Sequence, residues 1–153
     1  MQLKSLKDTQ NFSKNISKII NAGDIIFLYG EIGVGKTTFI KSLVNSLEKI
    51  DKKNISEITS PTFSLMNQYK LNKFDIHHYD LYRLKSEKDI LSLNIFEDIS
   101  DKIVLIEWPE ILGEHKPRNT IDINFEYGEN FNSRYLTISA YEKLKIFDEF
   151  KSL

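Results

Sequence analysis

The sequence predicts a three-layer α/β fold whose central sheet is mixed and partly antiparallel. Three observations lead there. Two short unbroken apolar runs, Ile25-Ile26-Phe27-Leu28-Tyr29 and Ile103-Val104-Leu105-Ile106, have the length and β-branched content of strands covered on both faces. Phe39, Ile40, Leu43, Val44 and Leu47 recur at helical spacing, with Lys41, Asn45 and Glu48 turned the other way. In the middle of the chain strand-like segments outnumber helical ones. Not every strand can therefore follow a helical crossover, and some must pair antiparallel.

Taken in order, Asp8-Thr9 reads as a helix start. Phe12, Ile16, Ile19 and Ile20 form one apolar face, and Asn21-Ala22-Gly23-Asp24 is the stop. The strand at 25–29 follows, then a helical pattern from Thr37. Residues 62–69 and 74–79 read as strands around a polar turn at Asn72-Lys73. Ser86-Glu87-Lys88-Asp89 resembles a capping box, with Asp in place of the usual Glu, and opens a short helix reaching Leu93. Asn94 can close that helix in the left-handed conformation. Residues 121–127 and 135–139 read as strands and 141–150 as a terminal helix. With no repeat, low-complexity tract or linker, residues 1–153 are expected to form a single domain.

Composition narrows the function. Lys and Arg number 21 against 22 Asp and Glu, so no global basic surface advertises tight nucleic-acid binding. Absence of Cys excludes disulfides and cysteine–metal sites. The first residues lack the apolar stretch of a secretion signal, and no apolar run is long enough to span a bilayer, so a cytoplasmic protein without a membrane role is expected.

The chemistry concentrates at Gly30-Glu31-Ile32-Gly33-Val34-Gly35-Lys36-Thr37, a complete Gly-x-x-x-x-Gly-Lys-[Ser/Thr] loop between a strand and a helix. Such a turn aims several backbone N–H groups and a helix dipole at one point, which suits phosphate. Lys36 reaches the β- and γ-phosphates and the Thr37 hydroxyl suits Mg²⁺. Gly30, Gly33, Val34, Gly35, Lys36, Thr37 and Thr38 are thus the candidate nucleotide-binding residues. A second element must hold Mg²⁺ and water, and Glu107, following the other unbroken strand, is the candidate. Asp80 ends a further strand and reads equally as a functional carboxylate or a helix N-cap. Thr62, in Ser60-Pro61-Thr62, is either a γ-phosphate sensor or part of a plain turn. Trp108 reads as core packing or as a ligand-facing or partner-facing aromatic. His77 and His78 point to opposite faces of a strand, which excludes a paired metal site on one face and leaves local packing or hydrogen bonding. Asn72-Lys73-Phe74-Asp75 spells a guanine-reading signature. It precedes the Glu107 strand, however, and no Asp-x-x-Gly accompanies it, so ATP is preferred over GTP.

Four segments in order carry a family resemblance: Gly30 to Phe39, Ser60-Pro61-Thr62-Phe63-Ser64-Leu65, His78-Tyr79-Asp80-Leu81-Tyr82-Arg83-Leu84, and Ile106-Glu107-Trp108-Pro109-Glu110. Together they resemble the bacterial TsaE family of small P-loop ATPases in tRNA threonylcarbamoyladenosine modification, from about Thr9 to Arg134. The resemblance implies a P-loop NTPase-type fold, with Thr37 as Mg²⁺ ligand and Glu107 at the metal and nucleotide. It also implies that Asp80 is needed for hydrolysis, that Trp108 is functionally important, and that Thr9 and Arg134 lie near the nucleotide. Lys36, Asp80 and Glu107 are then the catalytic set, Thr62 and Trp108 the switch residues, and the Asp80 and Glu107 roles are interchangeable at this stage. Implied partners are TsaB and TsaD, with tRNA reached only through them. Val34 stands where the family usually has Ala, and Asn94 where it usually has Gly. Arginine occurs only at positions 83, 118 and 134, none evidently a finger, so slow hydrolysis by the isolated chain is expected. A small-molecule kinase and a nucleotide-gated binding module are the competing readings.

Overall fold

A computed structural model describes residues 1–140 of the chain. In chain order it contains β1 (Gln2–Leu3), α1 (Leu6–Ile16), β2 (Ile25–Tyr29), α2 (Lys36–Ile50), β3 (Met66–Lys70), β4 (Asp75–Asp80), α3 (Glu87–Ser92), β5 (Lys102–Glu107), β6 (Ile121–Tyr127) and β7 (Arg134–Ala140). Short 3-10 turns occupy Ile99–Asp101, Pro109–His115 and Glu129–Phe131.

The seven strands form one sheet in the order β1-β7-β6-β2-β5-β4-β3. β6, β2, β5 and β4 run parallel at its centre, and antiparallel partners (β3 on β4, β7 on β6, β1 on β7) close both sides. The apolar runs of β2 and β5 lie in the parallel centre, where both faces are covered. Ile26 and Leu28 of β2, with Ile103 and Leu105 of β5, pack under α1 and α2. Their neighbours Ile25, Phe27, Val104 and Ile106 join Leu81, Ile90 and Leu112 on the opposite face. That alternation is the period-two geometry of strands inside a three-layer sandwich. Phe39 of α2 is fully buried and sits against Phe12 of α1 (5.3 Å between ring centroids) and Phe125 of β6 (5.8 Å). It ties both helices to the sheet.

Local details depart from the sequence reading at α1 and before β3. α1 starts at Leu6 rather than at Asp8-Thr9, because Ser5 caps it by accepting the Asp8 N–H at 3.2 Å. The strand expected from residue 62 begins only at Met66. Leu65 adopts φ 65° and its N–H closes a turn onto the Pro61 carbonyl at 2.7 Å, which takes Thr62 out of the ladder. The helix expected at 141–150 lies outside the described residues. By contrast, Ser86 caps α3 by accepting the Asp89 N–H, and Asn94 closes the segment at φ 46°. Among the described residues no helix is long and apolar enough to cross a membrane.

Candidate nucleotide and metal site

Residues 30–35 turn from the carboxyl end of β2 into α2. Gly30 has φ 129°, and a β-carbon there would lie 2.4 Å from the Phe125 carbonyl oxygen, so no other residue fits without moving β6. Gly35, at φ 118°, is the N-cap of α2 and no side chain caps it. The first N–H groups of the helix therefore face outward with no intrahelical acceptor, which is the geometry that favours an anion. Two side chains brace the loop from the β6–β7 side. Tyr127 Oη donates to the Ile32 carbonyl at 3.0 Å, and Arg134 Nε donates to the Val34 carbonyl at 2.8 Å.

Lys36 is almost completely buried. Its ammonium donates to the carbonyls of Gly30 and Glu31 and lies 4.0 Å from the centre of the Trp108 ring. Burial pulls its pKa below the ordinary lysine value, opposed by the carboxylates of Glu107, Glu110 and Asp80. Trp108 itself holds φ 62°, a conformation that costs a side-chain-bearing residue energy.

Parallel pairing of β4 with β5 sets Asp80 opposite Glu107 at the carboxyl ends of both strands. Both carboxylates are buried. The Thr37 hydroxyl stands 3.0 and 2.9 Å from the two oxygens of Glu107, and His78 Nε2 lies 2.8 Å from Glu107 Oε1. Asp80 Oδ2 accepts from the hydroxyls of Ser60 and Thr62, each at 2.8 Å. Asp80 Oδ1 accepts the Tyr82 N–H at 3.1 Å. No helix starts there, so Asp80 shapes a turn instead of capping one.

Lys36, Thr37, Thr62, Asp80, Glu107 and Trp108 line one cavity of about 320 Å³. Thr9, Val34 and Arg134 lie apart from them, in an adjoining cleft of about 360 Å³. Gly33, Gly35 and Thr38 line both, so the two spaces adjoin as lobes on either side of the loop. Their position, beyond the carboxyl ends of β2 and β5, is where open α/β sheets place their ligands. The structure thus places every sequence-derived candidate except Gly30, which lines neither space, around the loop and divides them between a carboxylate lobe and a second lobe.

A hydroxyl and two carboxylates are hard oxygen donors. Among the described residues no three His, Cys, Asp or Glu side chains are grouped to cage a metal. Such a set fits Mg²⁺, which takes few protein oxygens and completes its shell with phosphate and water. Three contacts escaped the sequence reading: the His78–Glu107 bond, the Ser60–Asp80 bond and the Tyr127 brace. Only His78 had a signal, lying two residues before Asp80 and on the same strand face.

The family model for the threonylcarbamoyl adenosine biosynthesis protein TsaE matches residues 3–136. The chain belongs to the TsaE family. Curated tRNA threonylcarbamoyladenosine biosynthesis proteins TsaE are similar along most of their length. The Rickettsia prowazekii protein is 38% identical over 89% of this chain and 91% of its own. The Borreliella burgdorferi protein is 36% identical over 79% and 85%, and the Aquifex aeolicus protein 36% identical over 71% and 74%. The crystal structure of Bacillus subtilis YdiB superposes with a TM-score of 0.73 at 22% identity, covering 99% of this chain and 92% of that one. That likeness supports the three-layer fold with its mixed sheet. TsaE membership supports a role in tRNA threonylcarbamoyladenosine biosynthesis.

Proposed function

We propose that the protein is a Mg²⁺-dependent ATPase that couples hydrolysis to turnover of a TsaB–TsaD complex modifying tRNA. The observation that carries this reading is the contact of the Thr37 hydroxyl with both Glu107 oxygens beside an uncapped helix N-terminus. In this reading the loop N–H groups and Lys36 hold the triphosphate, while Thr9 and Arg134 border the lobe that takes the rest of the nucleotide. Thr37 and Glu107 hold Mg²⁺, directly or through water, and the ion neutralises charge on the phosphates. Asp80 orients the attacking water and accepts its proton. The Thr62 hydroxyl shares Asp80 Oδ2, so a change at the γ-phosphate is transmitted to the 60–65 turn.

Hydrolysis by the isolated chain is slow in this account. Among the described residues no arginine lines the carboxylate lobe, Arg134 is committed to loop carbonyls, and Arg83 stacks on Phe63. A missing arginine finger limits related enzymes by about 10³–10⁵ in kcat. Lys36→Ala is expected to weaken ATP binding by about a hundredfold or more, read by calorimetry. Asp80→Ala is expected to bind normally and lose phosphate release by about 10²–10⁴-fold with partners present. Normal turnover by Asp80→Ala would contradict the hydrolytic assignment and favour a nucleotide-gated binding module. Phosphorylation of an added metabolite would favour a kinase.

A further inference from the structure

His78 is completely buried on β4, two residues before Asp80, and reaches diagonally across the parallel ladder to Glu107 on β5. Its Nε2 lies 2.8 Å from Glu107 Oε1, and its Nδ1 is buried with no hydrogen-bond partner. Those two facts assign the ring hydrogens. A hydrogen on Nδ1 would be a buried donor with no acceptor, whereas a lone pair there costs less. Nε2 therefore carries the hydrogen and donates it to the carboxylate.

Glu107 ends a strand, and its side chain has torsions that the backbone does not fix. Three bonds from two neighbours define its position: both of its oxygens face Thr37, and Oε1 also faces His78. Thr37 sits on the nucleotide side and has one hydroxyl hydrogen to share between the two carboxylate oxygens, so turning a lone pair to a metal re-aims that hydrogen and loosens its hold on Glu107. His78 lies on the protein side and is locked there by burial. Among the described residues it is the one other hydrogen-bond partner of the Glu107 side chain, and it keeps Glu107 aimed while Thr37 changes its bonds.

We propose that His78 is a positioning residue that holds the Glu107 carboxylate at the Mg²⁺ position through its Nε2–H. The inference rests on the proposed metal role of Glu107 and Thr37. It differs from a purely structural reading in what it demands of the metal. A histidine that only stabilises the fold affects nucleotide binding equally with and without Mg²⁺. One that aims a metal-side carboxylate affects the Mg²⁺-dependent part alone.

Two amide variants separate these cases. In His78→Gln the side-chain nitrogen falls close to the position of Nε2 and can donate to Glu107; in His78→Asn it stops near the position of Nδ1 and cannot. ATP affinity is measured by calorimetry on the full chain in EDTA and across a Mg²⁺ titration, with the ligand-free melting temperature as a control. His78→Asn is expected to match the wild type in EDTA and to need about 10–100-fold more Mg²⁺ for the same gain in affinity, the usual effect of losing a partner of a metal-side ligand. His78→Gln is expected to recover most of that gain. A wild-type Mg²⁺ titration in His78→Asn, or an equal loss in EDTA, would overturn the proposal. So would a Gln variant that melts like the wild type yet responds to Mg²⁺ as poorly as Asn. If the wild-type chain itself gains no affinity from Mg²⁺, the metal reading fails first and the His78 role falls with it.

Discussion

The buried ammonium of Lys36 shows how far one residue can carry the account. Burial lowers its pKa while Glu107, Glu110 and Asp80 oppose the shift. A triphosphate favours the charged form and raises the pKa, so in the alkaline window between the two values binding takes up a proton. ATP affinity should then fall as pH rises through that window and stay flat below it with respect to this group. Calorimetry in two alkaline buffers of different ionisation enthalpy checks it, and Lys36→Arg, permanently charged, should show no such uptake. The glycines offer a second test. Gly30→Ala meets the Phe125 carbonyl and a disfavoured φ together, whereas Gly35→Ala has a disfavoured φ and open space. Gly30→Ala should lose at least about 2 kcal/mol of stability, and visibly more than Gly35→Ala, in ligand-free melting.

At the scale of elements, Phe39 is the joint between α1, α2 and β6. Truncating it to Ala should cost about 3–5 kcal/mol by chemical denaturation, since three elements cannot all collapse into the space left. The elements are also where the sequence is most and least readable. β2, β5 and α2 are legible because each carries an unbroken run or a clean periodicity, and the loop because its residues are contiguous. Glu107 is legible for the same reason, as the first polar residue after an apolar strand. Residues 62–65 are not, because a β-branched and aromatic stretch looks like a strand until Leu65 takes a positive φ that only the tertiary turn requires. Tyr127 and Arg134 reach the loop across 95 and 100 residues, and no local pattern encodes such contacts. His78 was visible as a residue but not as a partner of Glu107, because the β4–β5 register that joins them is set by the whole sheet.

For the molecule as a whole, the parallel central strands gather the phosphate loop and both carboxylates at their carboxyl ends. Braces come from either side of the loop: Tyr127 of the central strand β6 and Arg134 of the antiparallel β7 hold it, and the turn before β3 holds Asp80 through Ser60 and Thr62. A site so assembled, without an arginine in its carboxylate lobe, should depend on other chains for speed. Phosphate release should therefore rise by orders of magnitude when TsaB and TsaD are added together. The most direct measurement is a crystal structure of the chain with Mg²⁺ and a non-hydrolysable ATP analogue, in complex with those partners. The account predicts the phosphates on the N–H groups of residues 33–38, Thr37 and Glu107 on the metal or one water from it, and Asp80 one water from the γ-phosphate. A triphosphate bound there with both carboxylates turned away from the metal and the γ-phosphate would contradict it.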